Sequence, residues 1–183
     1  MFKINDVIAY GAEGVCKITG IETRMVSGAR IEYYVLQPLD SRRSTVYVPT
    51  GNKTLLGKMH RLLSPKEIDA LIDSIPHIEP NWIQNDQERK LAYGKVLSSG
   101  DHTALIMTIK ALHLQKKERE ANKKHLGLSD ERVLKEAEQR LCHEWQYVLR
   151  MDKEALMAYI FARMEKTRFR ELAFFNTRKD WPD

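Results

Sequence analysis

The spacing of apolar residues in this chain changes character near residue 60, and one kind of secondary structure cannot serve both patterns. Before that point the runs are short, β-branched or aromatic, and broken by Gly or Pro. Asp6–Tyr10 is the first. Gly14–Arg24 is longer, and Gly20 inside it predicts a bulge or bend. Val26, Ser27, Gly28 and Ala29 are turn residues. In Arg30–Gln37, Ile31, Tyr33 and Val35 alternate with Glu32 and Tyr34. Pro38–Ser44 is polar and turns again, and Thr45–Val48 is a short strand stopped by Pro49. Four or five strands at this spacing predict a small antiparallel β-barrel over residues 1–55. Such a barrel encloses little volume, so it acts through its surface and its strand edges.

The helical pattern opens with an N-terminal signature. Ser64, Pro65, Lys66 and Glu67 form a capping box with Pro in the first turn, which predicts a helix to Ser74. Residues 56–63 read as a linker. Pro76 and Pro80 hold the link 76–82 extended. A second helix is expected over Asn85–Leu97, ending at Ser98, Ser99 and Gly100. Asp101 caps a third over 102–121, with Leu105, Met107, Ile109 and Leu112 as core candidates. Ser129 is the expected cap of a fourth helix over 130–149, and Asp152 that of a fifth over 153–166. The chain therefore reads as α+β in two domains, with an all-α domain of about five helices over 64–166. Residues 167–183 read as a partly ordered tail.

At 183 residues, 43% of them hydrophobic, two small cores fit. No apolar run is long enough to span a membrane, and the first residues do not read as a secretory signal. Cys16 and Cys142 are too few and too far apart for a disulfide framework or a zinc site, and read as buried thiols in a reducing cytosol. The formal charge of +5 suits a polyanionic partner without requiring one.

The chain has no phosphate loop, dinucleotide fingerprint or nucleophile elbow. Its histidines are scattered. Cys142 and His143 are neighbours on a helix and so diverge by roughly 100°. The composition is that of a binding protein: no enzyme activity, cofactor, metal or small-molecule substrate is expected. Three features point to binding. Trp82, between a proline link and a helix, is either a staple against the core or an exposed stacking group. Arg89, Lys90 and Lys95, followed by Lys110, Lys116, Lys117, Arg119, Lys123 and Lys124, form either a solvated face or a phosphate-contacting surface. Residues 22–26 place Met25 and Val26 beside Arg24 on what could serve as a protein-docking edge.

These features together resemble the CarD/CdnL family of bacterial transcription regulators. The N-terminal part is also similar to the polymerase-interacting domain of transcription-repair coupling factor. The resemblance is carried by Phe2–Gly11, Glu13–Val15, Ile21–Arg24, Gly28, Tyr33–Leu36 and Val46–Pro49. It continues through Asn81–Trp82, Leu97–Asp101 and Leu128–Ser129, and covers about residues 1–166. It implies a Tudor/SH3-like module that sets a strand beside a strand of the RNA polymerase β subunit, with Arg24, Met25, Val26 and Tyr47 at the contact. At Tyr47 some relatives have a basic residue. It further implies that the helical domain contacts promoter DNA at the upstream edge of the transcription bubble, without reading sequence. Trp82 would wedge at the junction, and Arg89, Lys90, Lys95 and Arg132 are the DNA-binding candidates. The implied location is cytoplasmic, with the nucleoid reached through the polymerase. Two rivals stay open: an adaptor whose helical domain binds another protein, and a polymerase-independent nucleic-acid-binding protein.

Overall fold

The computed structural model describes residues 2–39 and 44–166, so the expected tail 167–183 lies outside the described residues. The chain divides into two compact units. Among the described residues, the first is formed by residues 2–39, 44–62 and 98–100, and the second by residues 63–97 and 101–166.

The first unit is a five-stranded antiparallel sheet of Tudor-like type. Its strands are β1 (Val7–Tyr10), β2 (Gly14–Val26), β3 (Ala29–Pro38), β4 (Val46–Pro49) and β5 (Met59–Arg61), in the order β4-β3-β2-β1-β5. The β2–β3 register shifts between Ile18 and Gly20, where the lone glycine marked a bulge. Ser27 and Gly28 join the two strands with φ of 50° and 83°. Both central residues thus lie in the left-handed region that a tight two-residue hairpin turn demands. Pairing of β1 with β2 stops at Lys17, so the far half of the β2–β3 hairpin projects past β1. The core lies under the near half: Ile8, Tyr10, Cys16, Ile18, Tyr34, Leu36, Val48 and Met59 pack together.

The stretch 56–63, read as a linker, contains β5, preceded by the short helix α1 (Lys53–Leu56). Three residues are too few to show an alternating pattern in the sequence. Met59–Arg61 becomes a strand because it pairs with Ile8–Tyr10 and buries Met59 in the core.

The second unit is helical: α2 (Pro65–Ser74), α3 (Asp86–Ser99), α4 (His102–Ala121), α5 (Leu128–Leu149) and α6 (Lys153–Lys166). Caps set most of the starts. Ser64 Oγ accepts from the Glu67 amide while the Glu67 carboxylate accepts from the Ser64 amide, closing the capping box. Asp101 accepts from the Ala104 amide and Asp152 from the Ala155 amide. Ser129 does not cap α5. That helix starts at Leu128 behind Gly127, which puts Ser129 inside the first turn. Asp130 and Glu131 there complement the positive helix end.

Leu105, Ile109 and Leu112 are buried as expected, Met107 partly. They pack with Ile68, Ile72 and Ile75, with Leu134, Ala137, Leu141 and Trp145 of α5, and with Leu156 and Ile160 of α6. Burial of this kind is worth about 1.5–3 kcal/mol for each large side chain and holds helices that propensity alone leaves marginal. Cys16 and Cys142 are buried and neither is in a disulfide.

Candidate functional site

On the sheet unit, the register decides which side chains meet. Glu22 pairs with Tyr33, Arg24 with Ile31, and Val35 with Tyr47. Paired residues share a face, as do residues two apart. Glu22, Arg24, Val26, Tyr33 and Tyr47 therefore stand on the face opposite the core, and Met25 on the other. Arg24 Nη2 donates to Glu22 at 2.9 Å, and its guanidinium carbon lies 3.6 Å from the centre of the Tyr47 ring. Tyr33 meets Tyr47 edge to face. The Glu22 carboxylate, chiefly, holds the Arg24 guanidinium above its already high ordinary range. Tyr47 is 37% exposed, Val26 43% and Met25 65%. The fold thus brings Arg24, Val26 and Tyr47 onto one open face and sets Met25 across the hairpin from them. It also leaves β4 as the outermost strand, with nothing paired to its outer edge among the described residues.

On the helical unit, the link 78–85 carries Trp82 to the start of α3, where Asn85 Oδ1 accepts from the Gln87 and Glu88 amides. Trp82 is partly buried and packs against the helical core, so it is neither a fully buried staple nor a free wedge. One face of its indole is covered: the Arg89 guanidinium carbon lies 4.2 Å from the ring centre. Arg89 itself is only 5% exposed, although it read as a phosphate contact. Its Nε and Nη2 donate to the two oxygens of Asp130 at 3.1 and 2.9 Å. Nη2 also donates to Asp86 at 2.6 Å, and Nη1 to the carbonyls of Ile83 and Gln84 at 2.7 and 3.3 Å. Asp130, chiefly, raises the Arg89 guanidinium further, against the opposing effect of burial. Lys90, Lys95 and Arg132 are exposed.

Lys110, placed in the basic set by the sequence, is also buried. Its ammonium donates to the carbonyls of Ile75 (2.9 Å) and Ile78, fastening the link between α2 and α3 onto α4. Burial pushes it below the ordinary lysine range, with Glu79 opposing. Helices α4 and α5 are further joined by His102 to Glu144 at 2.8 Å and His113 to Glu138 at 2.6 Å. Glu144 also accepts from the Leu63 amide at 3.0 Å. These contacts span 25 to 81 residues of sequence and carry no local signal. Cys142 is buried while its neighbour His143 is exposed, which keeps that pair apart. Among the described residues no cluster of His, Cys, Asp or Glu could hold a metal ion, and no helix is long and apolar enough to cross a membrane.

Residues 2–62, about a third of the chain, match the family model of the CarD-like/TRCF RID domain. The match ends just after β5, the strand that completes the sheet. Residues 2–62 are thus a CarD-like domain, and this domain supports an RNA polymerase-interacting, transcription-related role.

Proposed function

We propose that this CarD-like protein docks on the β subunit of RNA polymerase through its sheet unit and stabilises promoter open complexes with its helical unit. The observation that carries the docking half is the exposed Glu22–Arg24–Tyr47 cluster beside the outer edge of β4, to which nothing is paired among the described residues. An extended strand of a partner can continue the sheet there, main chain to main chain, while Arg24 and Tyr47 supply the side-chain contacts. Arg and Tyr are the residue types most often found at binding hot spots.

The helical unit contacts DNA at the upstream edge of the bubble through Trp82. An indole laid on the last base pair replaces stacking lost when the strands part. Such a contact is worth about 1–3 kcal/mol per base, and about 1.4 kcal/mol shifts an open–closed ratio tenfold. Lys90, Lys95 and Arg132 are exposed and supply phosphate contacts that carry no sequence information. Tethering to the polymerase raises the local concentration, so a weak DNA contact suffices. The activity is located in the cytoplasm, at the nucleoid through the polymerase.

A second reading makes the helical unit an adaptor for another protein. It is favoured by Leu91 and Leu128, which stand 68% and 76% exposed on α3 and α5.

The test is the open-complex lifetime on one promoter with the cognate polymerase. The wild-type protein lengthens it, and Trp82→Ala and Arg24→Glu each lose most of that gain, the second through weaker polymerase binding. A protein that binds polymerase and leaves the lifetime unchanged retains the docking half and refutes the DNA half.

A further inference from the structure

A guanidinium has five N–H donors. In Arg89 they meet five acceptor contacts inside the protein: both Asp130 oxygens, Asp86, and the carbonyls of Ile83 and Gln84. Its flat face is also occupied, by the Trp82 ring. A phosphate could recruit this group only by displacing one of these acceptors, and of the two carboxylates only Asp86 is exposed, Asp130 being buried with Arg89.

We infer that Arg89 is a positioning residue for Trp82, anchored by Asp130, and not a phosphate contact. The inference rests on the reading of Trp82 as the DNA-facing group. Ile83 and Gln84 are the two residues that follow Trp82, so one side chain fixes both the backbone carrying the indole and one face of the ring. Asp130 lies 41 residues further along the chain, in the first turn of α5. Its two-pronged pairing registers the Trp82 link against that helix. The indole is then held in one orientation before DNA arrives, which lowers the entropy cost of immobilising it at the junction. The clamp brings no positive charge to the surface, because Asp86 and Asp130 together outweigh Arg89. Attraction for DNA must come from exposed neighbours such as Lys90 and Arg132. Lysine cannot take over the role: it keeps the charge but has no plane to stack and cannot span the same fork of acceptors.

The test uses the full chain labelled with 5-fluorotryptophan, with the Trp82 signal assigned by its loss in Trp82→Phe. In Arg89→Lys the Trp82 fluorine resonance moves and broadens while the other two tryptophan signals stay in place. The gain in open-complex lifetime falls several-fold while polymerase binding is unchanged. Asp130→Asn, which keeps the shape of the anchor, moves the same readouts in the same direction by less. An unmoved Trp82 resonance in both variants overturns the inference, whatever the lifetimes do. So does an Arg89→Lys protein with the full wild-type lifetime, paired with an Arg89→Ala protein whose log-affinity slope against salt falls by about one, the mark of a direct phosphate contact. If Trp82→Ala keeps the full lifetime, the DNA role of Trp82 fails, and the resonance still decides whether Arg89 positions it.

Discussion

Two arginines, one in each unit, share two kinds of contact, a carboxylate partner and an aromatic ring. Arg24 pairs with Glu22 and lies over Tyr47, and Arg89 pairs with Asp130 and lies over Trp82. They differ in solvent. The side chains of Arg24 and Glu22 are 45% and 49% exposed, those of Arg89 and Asp130 only 6% and 7%. In water an ion pair gains little and is screened by salt. Away from water, each charge depends on its partner, and removal of one leaves the other stranded. The exposed cluster is available to a partner, whereas the buried one is committed to holding a neighbour in place.

The strongest way to break this contrast is Arg89→Ala. It leaves Asp130 buried without its partner and should cost about 3 kcal/mol of stability. Urea unfolding followed by helical ellipticity reads the loss. A midpoint unchanged from wild type would mean that Asp130 is already hydrated and the contrast false.

Lys110 sharpens the same point through pH. Burial holds its folded pKa below the ordinary 10.5, so the unfolded chain binds more protons between the two values. Stability contributed at this site therefore rises with pH across that window, as the buried ammonium becomes neutral. Urea midpoints of wild type and Lys110→Met, compared from neutral pH upward, should diverge in favour of wild type as the window is entered. Parallel curves would show a lysine with an ordinary pKa. The smallest effect belongs to the exposed pair: Arg24→Ala should leave the melting temperature unchanged while it weakens polymerase binding. A lowered melting temperature would make Arg24 a structural residue and dissolve the comparison.

What the sequence made legible was what local chemistry decides. The Ser64–Glu67 box, the Asp101 and Asp152 caps, the Gly20 bulge and the Ser27–Gly28 turn each depend on residues within a few positions, and each stands where its signal placed it. Ser129 failed because the helix starts at Leu128, one residue before it, which leaves Ser129 in the first turn instead of ahead of it. The fifth strand was invisible because three residues have no period of their own. The basic set was misread at Arg89 and Lys110 for one reason: charge can be counted along the chain, but burial cannot.

By itself, then, the sequence determined a strand-forming part and a helix-forming part, most helix ends, and two candidate contact regions, one at residues 22–26 and one around Trp82 and the basic residues after it. Only the tertiary structure decided that Lys90 and Arg132 are exposed, and that Arg89 and Lys110 are not. The reason is physical. Propensity, capping and turn chemistry act over a few residues, whereas the desolvation that turns a surface cation into an internal clamp requires partners such as Asp130, brought from 41 residues away.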